Sequence, residues 1–128
     1  MYNQITTKMI TEQLPVTIDL SYLHTVTGGD KAFEKILLQG ALDDIQTKID
    51  CLQKAWEMED ASSIRMNAHS LKSLTAIAGL PQIERWSKII DQLFSDGIFH
   101  SQNKEPFTGI FNGWSLAKPQ LQDVIAAY

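Results

Sequence analysis

Several residue types are scarce in this 128-residue sequence, and each shortage excludes a class of protein. The single cysteine, Cys51, rules out an internal disulfide, so a reducing environment fits the chain best. No apolar run approaches the roughly 20 residues of a membrane-spanning helix, and the N-terminal residues lack the hydrophobic centre of a secretory signal. We therefore predict a cytoplasmic protein that makes no direct contact with a membrane.

Positive charge is scarce as well. The chain has 11 Lys and Arg residues against 15 Asp and Glu residues, which gives a net charge of -4. A mildly acidic chain without a basic run is a poor candidate for binding nucleic acid, so we expect no such partner. Apolar residues, by contrast, make up 44% of the chain. That composition, over a length typical of one domain, indicates a folded core and not disorder.

Apolar residues recur at helical spacing along most of the chain, and no segment alternates with the period of a strand. Residues 1–17 lack this periodicity, so we interpret them as a flexible tail or linker ahead of one domain over residues 18–128. Asp19 is predicted to cap a short helix that ends at Gly28–Gly29, and Asp30 to cap a long second helix. The apolar stripe of the second helix consists of Phe33, Leu37, Ala41, Ile45, Ile49, Leu52 and Trp56.

Glycine and proline mark several of the remaining boundaries. Gly40, inside the second helix, is predicted to lie at a close contact with another helix. The third helix is predicted to follow Asp60 and to end at Gly79. Pro81 suits the first turn of a fourth helix, which is predicted to stop at Asp96–Gly97.

The last helix follows a loop over residues 98–105. Its apolar stripe stays in helical phase across Pro119, which lies roughly opposite the stripe, so we predict one helix kinked on its solvent side and not two helices. Four long amphipathic helices with short connections predict an all-α fold. We expect an up-down four-helix bundle with a short extra N-terminal helix.

The third helix carries the candidate functional residues. Its predicted core face consists of Ile64, Ala68, Leu71, Leu74, Thr75 and Ala78. At about 100° per residue, His69 lies near the opposite side and is therefore predicted to be exposed. Arg65 and Lys72 lie about one turn before and after it, and residues three or four apart on a helix are neighbours.

Small and apolar residues surround this histidine. Ser73 and Ala76 are small enough to let a partner approach, and Met66 lies one turn before His69. We predict that Met66, Ser73 and Ala76 form a docking surface. Met66 and Leu38 of the second helix could form an apolar patch there, although packing inside the bundle is the more common role for such residues.

An exposed histidine beside two cations can carry a phosphoryl group. An imidazole in water has a pKa of about 6.5, so it is mostly neutral at pH 7 and a ring nitrogen can attack phosphorus. The phosphohistidine is strongly anionic, and Arg65 and Lys72 could stabilise it by charge and hydrogen bonds. Most exposed histidines on helices, however, are ordinary solvated surface, so periodicity alone does not decide between the two interpretations.

The stretch Ala68–Ser73, followed by Gly79, closely resembles the motif of the HPt (histidine-containing phosphotransfer) family. That motif reads Ala-His-x-Leu-Lys-Gly-Ser, with a glycine ten residues after the histidine. The resemblance covers approximately residues 18–128 and is weaker after residue 95. The matching positions are Ala68, His69, Leu71, Lys72 and Gly79 in the motif, then Ile18–Leu23, Gly28–Asp30, Leu52, Ala55 and Asp60 upstream of it.

The resemblance implies a phosphocarrier and not an enzyme. A receiver domain's phosphoaspartate would donate the phosphoryl group to His69, which would pass it to an aspartate of another receiver, with Lys72 stabilising the group. The implied partners are response-regulator receiver domains and a hybrid sensor kinase. The receivers bind Mg²⁺, so this domain would need no cofactor or metal of its own. We expect a monomer, and the family is common in bacteria.

Two positions depart from the family pattern. Ser73 replaces the usual glycine, which leaves room for the docking receiver, and Leu74 replaces the usual serine and faces the bundle. These departures leave open a second function, a module that docks receiver domains without transfer. A third alternative is a purely structural or dimerising bundle. His24 and His100 are predicted to be solvated surface, and Cys51 to be a buried or half-buried helix residue.

Overall fold

The computed structural model describes residues 16–128, and within them the chain forms five α-helices and no strand. The helices are α1 (Ser21–Thr27), α2 (Lys31–Glu57), α3 (Ala61–Ile77), α4 (Pro81–Leu93) and α5 (Glu105–Ala126). α3 packs between α2 and α4, α5 contacts both α2 and α4, and α1 lies against α2 and α3. The predicted all-α bundle with a short leading helix is confirmed. Residues 1–15 of the predicted tail lie outside the described residues.

Aspartate side chains begin the two central helices, as predicted. Asp30 and Asp60 each accept a hydrogen bond, at 3.1 Å, from the backbone N–H three residues later. The prediction for Asp19 is wrong by one residue. Leu20 occupies the capping position of α1, and the Asp19 carboxylate accepts a hydrogen bond from the N–H of Ser21 at 3.0 Å.

Gly79, just after α3, has a left-handed backbone conformation with φ 72°. Its carbonyl accepts a hydrogen bond from the N–H of Asp19 at 2.8 Å, and a Cβ on Gly79 would overlap the Asp19 carbonyl. This contact fixes the segment before α1 against the end of α3 and holds Asp19 outside the helix. Glycine is therefore required here both by conformation and by close approach.

The inward face of α2 differs from the prediction in its first turns. Phe33 is 44% exposed, whereas Glu34 and Leu38 are fully buried. At about 100° per residue, Glu34, Leu38 and Ile45 lie on one side of α2, and Phe33 is rotated away from them. Leu38 is therefore a core residue and takes no part in a docking patch. Gly40 is exposed, and no atom of another described helix lies within 4 Å of where its Cβ would be, so the predicted close contact is also wrong.

α5 is one continuous helix through Pro119, as predicted, and Pro119 faces solvent. Pro81 lies in the first turn of α4, also as predicted. Cys51 is exposed, contrary to the prediction, because Ile49 and Leu52 occupy the inward positions of that turn of α2.

The buried carboxylate of Glu34 connects α1 and α2 to the chain segment after α5. It accepts hydrogen bonds from His24 Nδ1 at 2.6 Å, from the Thr27 hydroxyl at 2.7 Å and from the Tyr128 hydroxyl at 2.9 Å. The hydrogen bond from His24 is the largest cause that lowers the pKa of Glu34, whereas burial raises this pKa. Hydrogen bonds from Thr27 and Tyr128 lower it further, and the resulting pKa is about 2. Glu34 is thus charged at neutral pH, and its three donors offset the cost of burying that charge.

Replacing Gly79 by alanine is expected to lower the free energy of unfolding by about 1–3 kcal/mol, because a side chain there is strained by the left-handed backbone and collides with Asp19. Urea unfolding followed by circular dichroism measures the change. Gly40→Ala is the matched control: its site is open and helical, so the variant should be unchanged or more stable by up to about 1 kcal/mol. Equal stabilities for the two variants would contradict the role given to Gly79.

Replacing Glu34 by glutamine is expected to change how stability depends on pH. The folded pKa of about 2 lies below the ordinary value of 4.5, so the charged carboxylate stabilises the fold above pH 4.5, and this contribution is lost as the pH falls towards 2. Glu34→Gln should therefore be less stable than wild type at pH 7 and should lose less stability on acidification. Urea midpoints at pH 7, 4.5 and 3 test this, with the exposed Glu57→Gln on the same helix as the control. Parallel pH profiles for Glu34→Gln and wild type would count against the prediction.

Candidate functional site

His69 projects from the middle of α3 into solvent, with 71% of its side chain exposed. Asp60 fixes the start of α3, and the buried side chains of Ile64, Ala68 and Leu71 fix which face of the helix turns inward. Because His69 lies on the other side of the helix, its exposure follows from the packing of its neighbours.

A carboxylate on α4, Asp91, contacts three side chains of α3. Asp91 Oδ2 lies 3.1 Å from His69 Nδ1 and 2.6 Å from Lys72 Nζ, and Asp91 Oδ1 lies 3.3 Å from Arg65 Nε. The three residues that the sequence placed around one site therefore do come together, and a fourth residue joins them.

The sequence alone did not identify Asp91 as part of the site. Residues on different helices become neighbours only through packing, and the periodicity of α4 does not say which of its side chains faces His69. One signal was available. α3 contains no Asp or Glu, so any acidic partner of Arg65 and Lys72 had to come from outside this helix.

Asp91 is charged at neutral pH. Its side chain is only 14% exposed. Burial raises the pKa of Asp91, but the hydrogen bonds from Lys72, His69 and Arg65 together lower it more, to about 2. The site therefore has a fixed negative charge on the side of α4 and two cations, Lys72 and Arg65, that contact it from α3.

The contact with Asp91 assigns different roles to the two ring nitrogens of His69. An ionised carboxylate can only accept hydrogen bonds, so Nδ1 carries the proton that points to Asp91. In the neutral ring Nε2 then has the free lone pair. The exposed imidazole consequently has one nitrogen held by the protein and one nitrogen available to a reacting partner.

The predicted docking residues do not share one concavity but lie on separate parts of the surface along α3. Met66 is 68% exposed and, with His69 and Arg65, lines a shallow concavity of about 450 Å³. Ser73 is exposed on the same helix and Ala76 is half-buried. Ala76 lines a second concavity of about 280 Å³ at the other end of α3, together with Tyr22 of α1.

The two other histidines of the chain also contact carboxylates, but both are more buried than His69. The exposed fraction of the side chain is 46% for His24 and 25% for His100, against 71% for His69. His24 Nδ1 binds Glu34, and His100 Nε2 lies 3.1 Å from Asp96 Oδ2. His24 is exposed, as predicted, although its ring also binds Glu34. His100 is half-buried, so the prediction of solvated surface is wrong for this residue, and His69 is the histidine most open to a partner.

Within residues 16–128, no helix has the length and apolar character needed to span a membrane. The same part of the chain contains no group of three or more His, Cys, Asp and Glu side chains placed to hold a metal ion.

Comparisons with known proteins found two matches that each cover most of the chain. The sequence model of the Hpt domain family matches residues 36–127, which is most of the chain. The fold is similar to the crystal structure of histidine-containing phosphotransfer protein B from Pseudomonas aeruginosa PAO1, with a TM-score of 0.74 and 16% identity over 87% of this chain and 96% of that one. No curated protein sequence matches the chain significantly. On the family match, the chain belongs to the Hpt domain family, the histidine-containing phosphotransfer domains of phosphorelays.

Proposed function

We propose that this protein carries a phosphoryl group on Nε2 of His69 and passes it between aspartates of receiver domains. Membership of the Hpt family supports histidine phosphotransfer in general. The observation that supports this site is the imidazole of His69, which is the most exposed of the three histidines and has Nδ1 bound to Asp91. We also propose that the protein is a monomer in the bacterial cytoplasm, and that its phosphoryl groups come from a hybrid sensor kinase.

The chemical step needs little from this domain beyond a positioned nucleophile. The Nε2 lone pair of His69 attacks the phosphorus of a receiver's aspartyl phosphate, so that an N–P bond forms. The P–O bond to the aspartate breaks, and its electron pair leaves with the carboxylate. The proton stays on Nδ1, hydrogen-bonded to Asp91, so the ring gains a positive charge as the N–P bond forms. The reverse step removes that charge and donates the group to the next receiver. Phosphoryl transfer depends mainly on positioning and electrostatics, and we propose that the receiver supplies the Mg²⁺.

Lys72 and Arg65 are placed to stabilise the transferred group. Both contact Asp91 beside the imidazole, and 27% of the Lys72 side chain and 53% of the Arg65 side chain are exposed. Long side chains with this exposure can turn towards a phosphoryl group on Nε2 without unpacking the bundle. Each would add a charge-assisted hydrogen bond to the phosphoryl oxygens.

The surface around His69 determines how a receiver can approach. Met66 presents an exposed apolar side chain, and Ser73 adds a hydroxymethyl group where the family pattern has glycine. Because Ser73 is exposed one turn beyond His69, it would lie against a docked partner. This residue also favours the second candidate function, a module that docks receivers without accepting a phosphoryl group.

The proposal is tested by incubating the protein with a phosphorylated receiver domain and Mg²⁺. Wild type is expected to gain an acid-labile label, with a ³¹P NMR signal of the Nε2-phosphohistidine isomer, and His69→Gln to gain none. His100→Gln is the matched control, because it removes a histidine that lies elsewhere in the bundle and should leave labelling unchanged. Binding without label on wild type, across several receivers, would favour the docking module.

Replacing Lys72 by alanine is expected to slow phosphoryl transfer by about tenfold or more, because the transition state loses a charge-assisted hydrogen bond. Single-turnover transfer from the same phosphorylated receiver measures the rate. Lys54→Ala removes an exposed lysine from α2 and serves as the control for net charge. A Lys72→Ala rate equal to that of the control would rule out the stabilising role of Lys72.

A further inference from the structure

The carboxylate of Asp91 faces Nδ1 of His69, the ring nitrogen that does not receive the phosphoryl group. We propose that Asp91 keeps the phosphorylated ring protonated at Nδ1, so that His69 leaves as a neutral imidazole when the group moves on to a receiver. This inference rests on the proposed phosphorylation of His69. It makes Asp91 a positioning residue, which acts through the imidazole and does not touch the phosphoryl group itself.

The proton on Nδ1 decides how easily the N–P bond breaks. An aspartate oxygen of the receiver attacks phosphorus, an O–P bond forms, and the electron pair of the N–P bond stays on Nε2. If Nδ1 carries a proton, the ring changes from a cation to a neutral imidazole. If Nδ1 has lost that proton, the ring must depart as an imidazolate anion, which is a much poorer leaving group. An imidazolium without a charged neighbour loses a proton at about pH 6.5, so retaining it above neutral pH requires a partner.

The carboxylate of Asp91 favours the protonated ring in two ways. Oδ2 lies 3.1 Å from Nδ1, so the ring forms an ion pair with Asp91 as soon as the N–P bond makes it cationic. A carboxylate can only accept hydrogen bonds, so a ring without the Nδ1 proton would turn a nitrogen lone pair towards an oxygen lone pair. Because the Asp91 side chain is only 14% exposed, water screens both effects incompletely.

The other charged groups near Asp91 leave the ring as its partner in the phosphorylated state. Lys72 Nζ at 2.6 Å and Arg65 Nε at 3.3 Å share Asp91 with the unphosphorylated ring. When they turn towards the phosphoryl oxygens, the cationic ring remains beside the carboxylate. Lys88, one turn before Asp91 on α4, pairs with Glu84 at 3.3 Å. Within residues 16–128, no cation of α1, α2 or α5 lies within 4 Å of the Asp91 carboxylate.

Asp91→Asn tests the role of the charge, because an amide can either accept from Nδ1 or donate to it and so fits the ring in both states. Wild type and variant are phosphorylated by the same receiver domain, separated from it, and mixed with fresh receiver and Mg²⁺ in single-turnover reactions between about pH 6 and pH 8.5. Titration of the receiver affects both proteins equally and cancels in the ratio of their rates.

The transfer rate of Asp91→Asn relative to wild type is expected to fall about tenfold from the acidic to the basic end of this range. A tenfold fall corresponds to a difference of about one unit in the pH at which Nδ1 loses its proton, the lower end of the effect that a neighbouring opposite charge exerts. A loss of ring orientation alone would slow the variant by the same factor at every pH.

Two further measurements support the comparison. Asp123→Asn makes the same change in net charge at an exposed position of α5 and should keep the wild-type pH profile. A ³¹P NMR titration of phosphorylated wild type needs no variant. The phosphorylated ring of His69 should keep its Nδ1 proton to a pH about one unit higher than free Nε2-phosphohistidine does. Circular dichroism confirms that each variant is folded.

The outcomes distinguish this inference from the function on which it rests. A relative rate that falls with pH in Asp91→Asn and stays constant in Asp123→Asn supports the inference. If wild type is labelled but the relative rate of Asp91→Asn does not change with pH, the inference is overturned and the phosphocarrier function stands. The same holds if phosphorylated wild type titrates like free phosphohistidine. If no receiver labels wild type, both are overturned.

Discussion

The rotational phase of α3 is the constraint on which the rest of the site depends. One face of this helix is buried between α2 and α4 through Ile64, Ala68, Leu71 and Thr75. With that face buried, the direction of every other side chain of α3 is fixed. A helix in the middle of a packed layer cannot rotate without moving several core side chains at once, and close-packed interiors resist such movement. His69 is therefore held in place by the buried residues on the opposite face of its own helix.

The protein uses one arrangement twice, with different consequences. His24 and His69 each donate from Nδ1 to a carboxylate on another helix, and a lysine lies beside each carboxylate. Glu34 is fully buried, so its histidine ties α1 to the bundle. Asp91 retains a small contact with solvent, and its histidine is mostly exposed. The two pairs have similar residue types and differ mainly in how deeply they are buried. The buried pair holds α1 in place, and the exposed pair leaves a histidine open to a partner.

The helices could be predicted well from the sequence because the position of each helix and the face it buries depend on local periodicity. The aspartate caps of α2 and α3, the continuity of α5 through Pro119 and the outward direction of His69 all follow from residues within one or two turns of each other. The first turns of α2 were harder. By residue type, Phe33 is expected in the core and Glu34 on the surface, but the structure has the reverse. Glu34 can be buried because three hydrogen-bond donors contact its carboxylate.

Asp91 marks the limit of what could be predicted. The distance between Asp91 and His69 depends on the position of α4 along the axis of α3. That position is set by the packing of both helices and by the turn at Gly79. No pattern within α4 contains that information. Comparing charges between helices would have narrowed the choice, since α3 has cations and no acidic residue.

The hydrogen bond between Glu34 and Tyr128 has a consequence for how the chain is made. These residues are 94 positions apart, so a ribosome must complete nearly the whole domain before the contact can form. Contacts of such long separation form late in folding because a long loop must close first. Until residue 128 emerges, the first turn of α2 has a carboxylate that cannot be buried with all its donors. The nascent chain should therefore hold α1 less firmly until residue 128 has left the ribosome.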